Sequence, residues 1–213
     1  MDGLKSFHVE DHHLFSGRLR SHHGAWWSLF LLLALLLAPL GQSAEPHSRA
    51  GTLNVPLKSQ MTEMWCWAAC AEMVCGYFGV SITQCGQANA SFGRRDCCAS
   101  TPPEECVYGG WPDFHRYGIV AKRTNDVALR WNELRDEIVA NKRPVIFTWH
   151  WIGTGGHMMV ACGIEEREGV RWVYVRDPWE PRPPRFFRRV TYDEFVSGSD
   201  HTHWDDFYGF SRK

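Results

Sequence analysis

The sequence predicts an α+β domain in which an N-terminal helical half packs on a C-terminal antiparallel sheet. Helix-forming segments fill the region from Thr62 to Gly93, whereas segments rich in β-branched and aromatic residues fill the region from Pro144 to Tyr192. The latter are joined by short turn signals, GTGG, REGV and EPRPP, so neighbouring strands run antiparallel. The chain has 213 residues, 44% of them hydrophobic and 14% aromatic, which supplies a core and excludes a disordered chain. Lys and Arg total 23 and Asp and Glu 24, a net charge of −1. This balance excludes recognition of nucleic acid or anionic lipid by bulk charge, so a partner must be selected by a local site.

Residues 1–44 read as an address segment. Ala25 to Gly41 is almost wholly apolar, Arg18 and Arg20 lie upstream, and Gly41, Ser43 and Ala44 supply small residues for cleavage. This is a signal peptide or, uncut, a membrane anchor; either sends the rest of the chain out of the cytoplasm as a secreted or periplasmic protein, in contact with a membrane only in the second case. Residues 45–54 read as a polar linker and 55–213 as one domain. All eight Cys follow the address segment, and an exported chain is expected to oxidise most of Cys70, Cys75, Cys85, Cys97, Cys98 and Cys106. Their pairing stays open.

Within the domain, Thr62 opens a run of good helix formers that stops at Gly79, and Ser81 to Gly93 reads as a second, shorter helix. A Cys-rich loop follows to Gly110, and WPDFHRYG suggests a helical turn. Leu129 to Asn141 repeats apolar residues among charges, the pattern of an amphipathic helix. PVIFTWHWI, HMMVACGIEE, RWVYVRDPW and RFFRRVTY then read as strands.

Cys66 falls at the start of the first helix. A thiol is a strong nucleophile only when ionised, and a helix N-terminus with a nearby imidazolium favours the thiolate. The flanking Trp65 and Trp67 are expected to shield the site from water, with Trp179 as a further cleft residue. Gln60, six residues earlier, carries a carboxamide that can donate to the oxyanion of a tetrahedral intermediate beside the backbone N–H of Cys66. His157 opens a strand directly after GTGG, and Asp177 ends the next one. Antiparallel neighbours bring the start of one beside the end of the other, so the carboxylate is placed to orient the imidazole. Rival nucleophiles are Cys70, on the same helix face, and Cys162, on the strand that begins with His157. Arg182, Arg185, Arg188 and Arg189 form a basic stretch whose default reading is a solvated strand edge.

Gln60, WCWAAC with Cys66 and Trp67, GGH with His157, and the apolar strand ending in Asp177-Pro178-Trp179 together resemble the papain-like cysteine peptidases that include the secreted avirulence protease effectors of plant-pathogenic bacteria, and more distantly the bacteriocin leader peptidases. The resemblance covers roughly residues 55–195. It implies a minimal papain-like fold, Cys66, His157 and Asp177 as triad, Gln60 in the oxyanion position, a protein or peptide substrate, no metal or other cofactor, and a monomer. Rival functions are another Cys-dependent acyl transfer, such as transglutamination or amide hydrolysis, an inactive binding module stapled by disulfides, and a zinc site on Cys85, Cys97, Cys98 and Cys106.

Overall fold

The computed structural model describes residues 51–179 and 188–213. The predicted address segment, linker residues 45–50, Arg182 and Arg185 lie outside the described residues. None of the described helices is long and apolar enough to cross a membrane. The described part of the linker is not one: Gly51–Thr52 forms strand β1 against Gly163 and Ile164, and Leu53 is buried.

Helix α1 spans Cys66–Tyr77. It begins three residues later than the composition suggests because the Gln60 side chain donates to the carbonyls of Thr62 and Glu63, both 2.9 Å away, and holds that stretch in a turn. Almost all of α1 is buried, from Trp67 through Ala68, Ala69, Cys70 and Ala71 to Met73, Val74 and Cys75. Its apolar face is broad, broken by Glu72, which pairs with Lys58, and each large side chain it buries contributes about 1.5–3 kcal/mol. Helix α2, Gln84–Phe92, is capped by the Thr83 hydroxyl, which accepts from the Gly86 N–H at 3.1 Å, and ends on Gly93 at φ 66°. Disulfides Cys85–Cys98 and Cys97–Cys106 tie α2 to the loop that follows. Cys70 and Cys75 are free and buried, so four of the six clustered Cys are oxidised. The same bonds consume all four thiols that a zinc site would need.

The remaining elements are β2 (Ile119–Arg123), α3 (Trp131–Arg135, continued by a π turn over Asp136–Ala140), β3 (Val145–Trp151), β4 (Gly155–Arg167), β5 (Val170–Arg176), β6 (Arg188–Thr191), α4 (Tyr192–Val196) and β7 (His201–Arg212). The sheet runs β2-β7-β3-β4-β5-β6, with β1 beside β4, and every pairing is antiparallel. The α+β class and the helices-then-sheet order hold. Sequence patterning missed β2, β7 and α4. Helix α1 packs on β4, and the Cys70 thiol donates to the Met158 carbonyl of that strand at 3.2 Å. The head of α1 is thereby fixed against the beginning of β4, where His157 stands.

Candidate active site

Cys66 is the first residue of α1 and is partly exposed, whereas Cys70, Cys75 and Cys162 are buried. Its sulfur therefore lies where unpaired backbone N–H groups and the helix dipole favour negative charge. Burial pushes the thiols of Cys75 and Cys162 up to about 11 and about 12, and that of Cys70 well upward with help from the charges of Cys66 and Asp177. Those three are poor nucleophiles by environment.

His157 and Asp177 meet because of strand register. In the β4–β5 hairpin Val160 pairs with Arg176, so the start of β4 adjoins the end of β5. The His157 Nε2 lies 2.7 Å from Oδ1 of Asp177. Cys66 lines the same cleft wall as the ring. Burial opposes charge on His157, but the bond to Asp177 and the electrostatic pull of Asp177 and Cys66 outweigh it and raise the imidazole from 6.5 to about 9. Burial likewise opposes charge on Asp177, yet the His157 bond, the Trp179 N–H at 3.0 Å and the Arg188 guanidinium hold its carboxyl below the usual range. The Asp177 carboxylate thus favours the cationic form of the imidazole.

These groups open into a cleft of about 690 Å³. Met64, Trp67, Trp111, Trp151, Trp179 and Trp204 supply apolar walls, with Thr148 and Met158 from neighbouring positions of β3 and β4 between them. Two glycines make room: a Cβ on Gly110 would lie 2.9 Å from the Trp67 ring, and one on Gly156 would lie 2.9 Å from Trp204. Trp179 is 61% exposed and stands edge-on to His157 with ring centres 6.4 Å apart.

Of the residues singled out by sequence, Cys66, His157, Asp177, Trp67 and Trp179 come together here. Trp65 does not. It is fully buried, its indole N–H donating to the Cys106 carbonyl at 2.7 Å. Gln60 sits in the turn before α1, its backbone N–H bonded to the Pro178 carbonyl at 2.9 Å, and its amide hydrogens are engaged by Thr62 and Glu63. Arg188 is no free strand edge: its Nη1 donates to Oδ2 of Asp177 at 3.1 Å. The sequence did not mark Trp111, Trp151 and Trp204, which depend on β7 and on the loop after α2 folding back over the sheet. A tryptophan count of 11 was the available signal.

The family model described as papain-like cysteine protease AvrRpt2 matches residues 49–198. Among solved structures, the chain is similar to that described as the crystal structure of a double glycine motif protease from an AMS/PCAT transporter in complex with the leader peptide. The identity is 20% and the TM-score 0.46, over 76% of this chain and 95% of that one. No curated protein matches.

Proposed function

The chain belongs to the AvrRpt2 family of papain-like cysteine proteases, and from that membership we propose a secreted peptidase that hydrolyses peptide bonds with Cys66 as nucleophile, His157 as general base and acid, and Asp177 as the group that orients the histidine. The observation that carries this reading is an imidazole 2.7 Å from the Asp177 carboxylate on the wall of an open cleft that Cys66 also lines.

The thiolate of Cys66 attacks the scissile carbonyl carbon, and the carbonyl π electrons move to oxygen. The backbone N–H at the head of α1 donates to that oxyanion, joined by Gln60 once its amide trades a carbonyl for the substrate. His157, already cationic, passes its proton to the leaving nitrogen as the C–N bond breaks and a thioester forms. Neutral His157 then takes a proton from water as the oxygen attacks the thioester, and Cys66 departs as thiolate with the acid product. Asp177 stays ionised and keeps the ring aligned.

Export is supported by the apolar segment at residues 25–41 and by the two disulfides, bonds that persist chiefly outside the reducing cytoplasm. The enzyme acts as a monomer on an extended peptide.

The test is a pair of substitutions. Cys66→Ala should abolish peptide cleavage and labelling by a thiol-directed inhibitor, while Cys162→Ala leaves both largely intact; cleavage that survives Cys66→Ala defeats the assignment.

A further inference from the structure

We propose that Arg188 is a fourth member of the catalytic unit, a positioning residue that fixes the second carboxylate oxygen of Asp177 and balances its charge, and so sets how tightly His157 keeps its proton. The inference rests on the peptidase reading above, with the Cys66, His157, Asp177 set as its premise.

Three bonds hold the Asp177 carboxylate. Oδ1 accepts from the Trp179 backbone N–H at 3.0 Å and contacts His157 Nε2 at 2.7 Å, and Oδ2 accepts from Arg188 Nη1 at 3.1 Å. The Asp177 side chain is 7% exposed, so Arg188 is the partner that stops the carboxylate rotating away from the ring. An ordinary surface ion pair would contribute little. This one has a buried acceptor, and the cation is also anchored from behind: the Arg188 guanidinium lies 5.4 Å from the centre of the Trp149 ring. Trp149 is itself fixed, donating its indole N–H to the Phe195 carbonyl at 3.1 Å and stacking on His201. Strand β6 supplies the placement, since Arg188 pairs with Val175, two residues before the acid.

The groups that act on this carboxylate are His157 from β4, Arg188 from β6 and the Trp179 N–H, and it acts in turn on Cys70 of α1. Of these, His157 and Arg188 carry positive charge and compete for one negative charge. A lone carboxylate would give all its attraction to the imidazolium. Here part of it is shared with a guanidinium that does not titrate in the working range, so His157 remains cationic for attack yet can release its proton to the leaving group.

The experiment compares Arg188→Gln and Arg188→Lys with the parent protein. One arm follows the His157 ring by NMR across pH, and the other measures kcat and KM on a fluorogenic peptide. In Arg188→Gln the His157 titration should move upward by about half a unit or more, each unit being a tenfold change in proton affinity, and kcat should fall roughly tenfold with little change in KM. Arg188→Lys, which keeps the charge, should bring the titration back to the parent value and recover part of kcat. An unmoved His157 titration in Arg188→Gln, or identical titrations in the two variants, overturns the proposal. The NMR arm needs no substrate, so it judges Arg188 even if no peptide is cut; absent cleavage by the parent, or undiminished cleavage by Cys66→Ala, counts against the peptidase reading alone.

Discussion

His157 and Asp177, 20 residues apart in sequence, stand 2.7 Å apart across the open end of a β-hairpin, and the second oxygen of that same carboxylate is held by Arg188. Both oxygens of Asp177 must therefore accept. Asparagine has one accepting oxygen and one donating nitrogen, so Asp177→Asn turns an N–H either toward the imidazole or toward the guanidinium. Its kcat/KM should fall by roughly 10²–10⁴ while the thermal melt stays near that of the parent. A drop of less than threefold in steady-state assays would remove Asp177 from the catalytic set.

The pH profile follows from His157. In the proposed mechanism the imidazolium is the form that donates to the leaving group, and the imidazole is raised from 6.5 to about 9. Activity should hold through neutral pH and decline as pH rises through about 9, when the ring loses its proton. The same shift links to stability: because the folded value lies above the unfolded one, the contribution is fully present below about 6.5 and disappears as pH passes about 9. A basic limb of kcat/KM near 6.5 would show that Asp177 does not hold the proton on the ring in solution.

Gln60 is the member whose geometry departs most from its assigned role. Both amide hydrogens are bonded to the Thr62 and Glu63 carbonyls, and its Oε1 is buried without a partner among the described residues. An oxyanion donor must give up one of those bonds as charge develops on the substrate. Gln60→Ala should then lower kcat by ~10²–10³ with a small change in KM. If the side chain serves the turn alone, the variant will instead show a lower melting temperature with kcat within a few-fold of the parent.

That Cys66, His157 and Asp177 share one cleft was legible because each sits beside a strong local signal. Cys66 lies near a helix start, His157 follows a glycine-rich turn, and Asp177 precedes a proline, with a hairpin between the last two. Where the helix starts was misjudged for a reason outside helix propensity: Gln60 captures two carbonyls and forces a turn over Thr62 and Glu63. Arg188 was visible as a charge among four arginines, but nothing in sequence says which one returns beside the acid; that follows from the register of β6 on β5. Strand β7 escaped detection because it carries His201, His203, Asp205 and Asp206, residues that read as surface. Tertiary partners neutralise them: Asp205 accepts from Arg123 and Asp206 faces His203.

Those partners make β7 a test of how the sheet is held. Asp206 is fully buried. Its Oδ2 accepts from the Leu129 N–H at 2.6 Å, and its Oδ1 lies 3.1 Å from His203 Nε2, an ion-pair contact and not an aligned hydrogen bond. The other ring nitrogen of His203 bonds the Phe195 carbonyl at 2.9 Å, so β7, the segment before α3 and α4 meet at one carboxylate. Removing it leaves a buried N–H and a buried imidazole without their acceptor, at a cost of about 3–5 kcal/mol. For a domain of this size, that lowers the melting temperature by roughly 10 °C. Asp206→Ala should show this loss in calorimetry, and Asp206→Asn, which keeps an acceptor for Leu129, should lose less. A melt of Asp206→Ala within about 2 °C of the parent would mean that β7 is held by its aromatic packing alone, through Phe207 and Phe210 against Phe114.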